Sequence, residues 1–286
     1  MSSPFEIPFD GAVIRGEADG FGYPVVFLHS GVTDRRMWAD QMQMLAEEGY
    51  HVISYDRRGY GETTTEDVPF NHLVDLEAVL DRLSVHAAIF IGSSMGGGLA
   101  IDFALEHPER TIALVLMGTA VTGAEGYEVD EEVEQLEEAF EYARERGNIG
   151  TANRIQAHQW LDGPYGEAGR VTGNARELFL TMNEIHLNHP PLKQEDFPEP
   201  AFDNVHTIIA PTLLVVGELD CSDIIAIHED LSEEIENAFA VVLEETAHFP
   251  NLERPDLFNP ILGEFLEAVT GQGDDDDEDD EDAQDV

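Results

Sequence analysis

The sequence predicts an α/β protein with a mostly parallel central sheet and helices on both of its faces. Three observations predict it. Apolar runs recur at 24–28, 51–55, 87–91, 112–117, 211–216 and 238–243. Such runs are what strands buried on both faces require. Between most of them lie segments with apolar residues three and four apart, the spacing of an amphipathic helix. Strand and helix alternating in this way are accommodated by right-handed crossovers over a parallel sheet.

The elements follow in order. Residues 12–17 alternate and read as a half-exposed early strand. The run 24–28 leads into His29-Ser30-Gly31. A helix is expected over 34–48, with Trp38, Met42 and Leu45 on one face and Gly49 stopping it. Strand 51–55 runs into Asp56-Arg57-Arg58-Gly59-Tyr60-Gly61, and a second helix covers 70–83. The run 87–91 meets Gly92-Ser93-Ser94-Met95-Gly96 and turns into a helix pattern that ends near His107-Pro108. After strand 112–117 the rhythm breaks. Residues 121–204 carry helical patterns at 130–146, 153–160 and 175–186 but no buried strand, and four prolines punctuate the exit. Such an excursion between core strands reads as a lid. Strand 211–216, a helix over 222–235, strand 238–243 and a closing helix over 255–269 complete the pattern. The chain therefore divides into a core, 1–120 and 205–271, a helical lid, 121–204, and an acidic tail, 272–286, that has nothing to bury and is expected to be disordered.

The chain has 286 residues, enough for one large domain with an insertion. Its formal net charge is −46, from 60 acidic against 14 basic residues. That field repels nucleic acid and anionic membranes, so neither is an expected partner. It also destabilises the compact state in dilute salt, which suggests a salt-adapted protein from a halophile. Cys221 is the one cysteine, which rules out an intrachain disulfide and fits a cytoplasmic location. No run is long enough to span a bilayer, and the first ten residues do not form a secretory signal.

The chemistry starts at Ser94. Strand, Gly-x-Ser-x-Gly, helix is the context in which the turn forces the central serine into strained backbone geometry at a helix N-terminus. Serine is a weak nucleophile, so a base must take its proton. His248 follows the last strand and is the candidate base. Asp220 follows the strand before it and is the candidate acid, with Glu218 and Asp223 as possible substitutes. Each follows a strand at the end where open α/β sheets bind ligands. The oxyanion pocket is expected to use the backbone N–H groups of Met95 and Gly31. His29 is expected to brace its loop. His186-x-x-His189 lacks further ligands at useful spacing, so no metal site is expected. Ser30 and Trp160 are candidate substrate contacts, and Trp160, Leu161, Tyr165 and Phe179 are candidates for the lid's inner face.

These motifs resemble the α/β-hydrolase superfamily. His29-Ser30-Gly31 stands where that family has His-Gly-x, Asp56 to Gly61 matches its Asp-x-Arg-Gly-x-Gly loop, and Gly92 to Gly97 matches its elbow. Gly217-Glu218-Leu219-Asp220 and Ala247-His248 stand where the family carries acid and base. The resemblance spans about 13–269 and implies a lid after the sixth strand and no cofactor. It points to the small enol-lactonases, carboxylesterases and carbon–carbon bond hydrolases. The expected function is cleavage of an ester, lactone or similar small acyl substrate through Ser94, His248 and Asp220. The alternatives are a slow or non-catalytic receptor using the same pocket and a carbon–carbon bond hydrolase. Oligomeric state is not legible in the sequence.

Overall fold

The computed structural model describes residues 2–271; the acidic tail lies outside the described residues. The sheet runs β1 (Ser3–Phe9), β2 (Ala12–Asp19), β4 (His51–Tyr55), β3 (Pro24–Leu28), β6 (Ala88–Ser93), β7 (Thr111–Met117), β8 (Thr212–Gly217), β9 (Ala238–Leu243), and the two-residue β5 (Thr64–Thr65) pairs with β2. The pairs from β4 through β9 are parallel, whereas β1, β2 and the β2–β4 contact are antiparallel. The first strand is one the apolar patterning does not reveal. Of its seven residues only Ile7 is buried, because β1 lies at the sheet's edge. Asp10-Gly11, with φ of 42° and 78°, closes the hairpin with β2. Asp-Gly is the short-range hairpin signal that was there to read.

Because the central strands are buried on both faces, alternate residues of one strand serve two cores. Val26, Leu28, Phe90, Leu114 and Leu214 point into the core shared with α2 (His72–Arg82), α3 (Met95–Glu106) and α7 (Ser222–Glu234). Val25, Phe27, Ile89, Val115 and Leu213 point into the other, packed by α1 (Ala39–Glu47) and α9 (Pro255–Thr270). Each such side chain contributes about 1.5–3 kcal/mol by leaving water. The helix expected over 34–48 is split: Asp34 caps a 3₁₀ turn, Arg35–Trp38, before α1 begins. Asn71 caps α2 by accepting the Leu73 N–H at 2.7 Å.

Between β7 and β8 lie α4 (Glu131–Glu145), α5 (Ile149–Gln156) and α6 (Asn174–Asn188). Leaving aside the two-residue β5, this insertion follows the sixth strand. After α5 the chain loosens into a π-helix, Ala157–Asp162, which carries Trp160 and Leu161. Leu161 and Phe179 are fully buried and belong to the core on the α9 face, where Phe179 meets Phe249 at 5.6 Å. They pack the insertion onto the core instead of onto itself. Tyr165 is exposed and bonds Asp130 through its hydroxyl. No described helix is long and apolar enough to cross a membrane.

Candidate active site

The elbow is built by close backbone approach. A Cβ at Gly92 would sit 2.4 Å from the Gly96 carbonyl oxygen, and one at Gly96 would sit 2.2 Å from that of Leu28. Only glycine lets β6, α3 and the loop after β3 converge this tightly. The turn puts Ser94 at φ 53°, ψ −118°, a strained conformation for a side-chain-bearing residue. Its N–H donates to the Met117 carbonyl at 2.9 Å, which locks the elbow against the end of β7. Ser94 thereby stands half-buried at the N-terminus of α3, where the helix dipole favours negative charge.

The candidate acid and the candidate base meet directly. His248 Nδ1 lies 3.0 and 2.8 Å from the two carboxylate oxygens of Asp220. Both side chains are buried. The Cys221 N–H donates to Asp220 Oδ1 at 2.8 Å and fixes the carboxylate from behind. Glu218 is engaged elsewhere, accepting the Glu245 N–H, so of the candidate acids it is Asp220 that the fold brings to His248. Gly118 connects this pair to the elbow. A Cβ on Gly118 would lie 2.9 Å from His248 Nδ1 and 3.2 Å from Asp220 Oδ2, and the residue before it holds the Ser94 N–H. The Ser94 hydroxyl makes no hydrogen bond to His248 in this structure; such contacts tighten when substrate binds.

Gly31 borders the elbow. A Cβ there would meet Met95 Sδ at 2.5 Å. Among the described residues, neither the Gly31 nor the Met95 N–H has a protein acceptor. His29 is fully buried, with Nδ1 on the Ser30 carbonyl at 2.8 Å and Nε2 accepting the Arg57 N–H at 3.0 Å. Burial, with the Arg57 charge behind it, holds this imidazole well below its ordinary pKa and therefore neutral. The Arg57 guanidinium bonds the His29 and Ser30 carbonyls in turn. His29 is a brace.

Ser30, a candidate substrate contact, lies in the loop after β3. Its side chain is fully buried, and Oγ accepts from the Val32 N–H and the Thr33 hydroxyl, both at 3.2 Å. The hydroxyl is engaged within its own loop. Trp160 touches the candidate base: its ring lies 4.7 Å from that of His248, and its carbonyl accepts the His248 N–H at 3.2 Å. A cavity of about 190 Å³ is lined by Met95, Gly98, Leu99 and Val121, with Arg57 and Asp102 among its polar residues. His186 and His189 each contact a carbonyl, those of Gly59 and Gly61, and the His186 ring stacks on Tyr60. They fasten α6 to the Asp56–Gly61 loop. Among the described residues no three His, Cys, Asp or Glu side chains converge to hold a metal. Burial and the Asp220 charge raise the Cys221 thiol, which makes it a packed, unreactive group.

Gly118, and Glu253, whose carboxylate accepts the Ala247 and Phe249 N–H groups on either side of His248, are missed by sequence reasoning. Gly118 ends an apolar strand, and a glycine there was the available signal. Glu253 carries no pattern of its own.

This fold and this arrangement are those of the α/β hydrolases. The family model for the alpha/beta hydrolase fold matches residues 23–255. The chain belongs to that family and is a hydrolase. It is 27% identical over 265 residues to the putative 2-succinyl-6-hydroxy-2,4-cyclohexadiene-1-carboxylate synthase of Bacillus subtilis, covering 90% of this chain and 94% of that one. The putative non-heme haloperoxidase of Mycobacterium phage D29 matches locally, 37% identical over 116 residues, which is 39% of this chain and 41% of that protein. Among solved structures, Est816, described as an N-acyl homoserine lactone degrading enzyme, superposes with a TM-score of 0.70 at 28% identity, covering 91% of this chain and 99% of that one.

Proposed function

We propose that the chain is a serine hydrolase that cleaves a small ester or lactone. The buried Asp220–His248 pair beside a strained Ser94 carries this reading. In the proposed reaction Ser94 Oγ attacks the substrate carbonyl carbon while His248 Nε2 takes its proton. Asp220 holds the imidazole with Nδ1 protonated and stabilises the imidazolium that forms. The Met95 and Gly31 N–H groups receive the oxyanion; one such preset donor is worth about 3–4 kcal/mol of barrier. His248 then returns the proton to the leaving oxygen. Water, deprotonated by the same imidazole, attacks the acyl-enzyme and releases the acid.

The lactone-degrading description of Est816 supports a cyclic or linear acyl substrate, and the cavity beside Met95 is the proposed seat of its acyl part. The single cysteine accords with a cytoplasmic enzyme. The test is hydrolysis of p-nitrophenyl butyrate in molar KCl, with fluorophosphonate labelling of the serine. Ser94→Ala is expected to lose label entirely and at least about 10³-fold in kcat. Equal turnover by the two proteins defeats the proposal.

A further inference from the structure

Three donors converge on one buried carboxylate behind the candidate base. The Ala247 N–H lies 3.0 and 3.1 Å from the two oxygens of Glu253, and the Phe249 N–H lies 3.2 Å from Oε1. Arg170 Nη2 donates to Oε2. Ala247 and Phe249 are the neighbours of His248 on either side. The Glu253 side chain is 2% exposed and ends the short helix α8 (Pro250–Glu253). It therefore fixes the Thr246–Ala247 peptide and the His248–Phe249 peptide, one on each side of the candidate base. Burying a carboxylate costs hydration that hydrogen-bond donors offset; here burial still holds the Glu253 carboxyl above its ordinary value, and the Arg170, Ala247 and Phe249 donors oppose that shift.

Arg170 comes from the insertion, 83 residues away in sequence. Its remaining N–H groups reach the carbonyls of Leu161 at 3.0 Å, Asp162 at 2.7 Å and Glu245 at 2.9 Å. Leu161 follows Trp160, whose carbonyl takes the His248 N–H and whose ring covers the imidazole. Asp162 is itself held by Arg176 and by the Gly169 and Val171 N–H groups. The end of the π-helix, the loop after β9 and α8 are thus joined through one guanidinium.

We propose that Glu253 is a positioning residue for His248, and that Arg170, by closing on it, makes correct placement of the base conditional on a docked insertion. This rests on His248 being the base. A carboxylate presents two acceptor oxygens to the three donors. Gln presents one, and its NH₂ faces a donor. Glu253→Gln therefore keeps the shape of the side chain while freeing one of the peptides beside His248.

The experiment uses the full chain in molar KCl. It measures kcat and KM for p-nitrophenyl butyrate, the rate of fluorophosphonate labelling of Ser94, and thermal melting. Glu253→Gln is expected to lower kcat and the labelling rate together by about 10- to 100-fold, with KM within about twofold, at a temperature where the variant is fully folded. Arg170→Met is expected to lower both by about 3- to 10-fold, and the double variant to be no slower than Glu253→Gln, because the two residues act as one unit. If Glu253→Gln does not fold, Arg170→Lys carries the test: a point charge cannot serve four acceptors in a fixed fork, so kcat falls while the charge is kept. Wild-type kcat in Glu253→Gln, a change confined to KM, or strictly additive losses in the double variant overturns the proposal. His248→Ala separates the two readings. If it is inactive while Glu253→Gln is fully active, the positioning role alone fails; if it labels and turns over like the wild type, the base assignment fails and takes this proposal with it.

Discussion

Replacing Gly118 with alanine tests the geometry of the site without touching a reacting group. Gly118 follows β7 at φ 51°, and its N–H donates to the Val215 carbonyl at 2.9 Å. An alanine there pays about 1–2 kcal/mol for the left-handed backbone. Its Cβ would lie 2.9 Å from His248 Nδ1, 3.0 Å from Cε1 and 3.2 Å from Asp220 Oδ2, where ordinary contact begins at 3.4 Å. The imidazole is enclosed by Trp160 at 4.7 Å and Phe249 at 5.0 Å, so its room for retreat is small. A displacement of about half an ångström stretches its bond to Asp220 and re-aims Nε2, at an expected loss of about 10- to 100-fold in kcat/KM. The assay is p-nitrophenyl butyrate hydrolysis beside a thermal melt. Gly263→Ala is the control. No atom lies within 4 Å of a Cβ there, and the position is inside α9, so it is expected to gain about 0.5–1 kcal/mol of stability with unchanged kcat/KM. Wild-type kcat/KM in a folded Gly118→Ala protein would refute the account of how Asp220, His248 and the elbow are packed.

Other outcomes follow from charge. Burial pushes the Asp102 carboxyl up to about 6 from 3.8, with the Thr122 side chain opposing the shift. A folded-state value above the unfolded one means that the stability this group contributes is complete below about pH 4 and is lost as pH rises through about 6. Asp102→Asn is therefore expected to gain about 1–2 kcal/mol over the wild type at pH 8 and little at pH 4, read from urea unfolding at each pH; a pH-independent difference would contradict it. With a net charge of −46, the whole chain is expected to melt several degrees higher in 2 M than in 0.1 M KCl, because salt shortens the reach of like-charge repulsion from about 10 Å to about 2 Å. A lower melting temperature in concentrated salt would refute that.

The parts legible in the sequence are the ones that local rules fix. Apolar runs mark the buried strands, since a strand covered on both faces has no polar side to show. The elbow is legible because glycines bracket Ser94, and the order Ser94, Asp220, His248 narrows the chemistry before any distance is known. The edge strand β1 escaped this reading because one covered residue leaves no apolar pattern, although Asp10-Gly11 marked its turn.

What the tertiary structure decided depends on distances between segments far apart in the chain. The sequence offered Glu218, Asp220 and Asp223 as acids; the folded loop after β8 brings Asp220 to within 2.8 Å of His248. It turned the Ser30 hydroxyl into its own loop and put the Trp160 ring on the imidazole. It also set Glu253 behind His248 and closed Arg170 on it from the insertion. Periodicity records which face of an element is buried. It carries no information about which of several polar groups meet, because hydrogen bonds fail over a fraction of an ångström and that precision comes only from the packing of the whole chain.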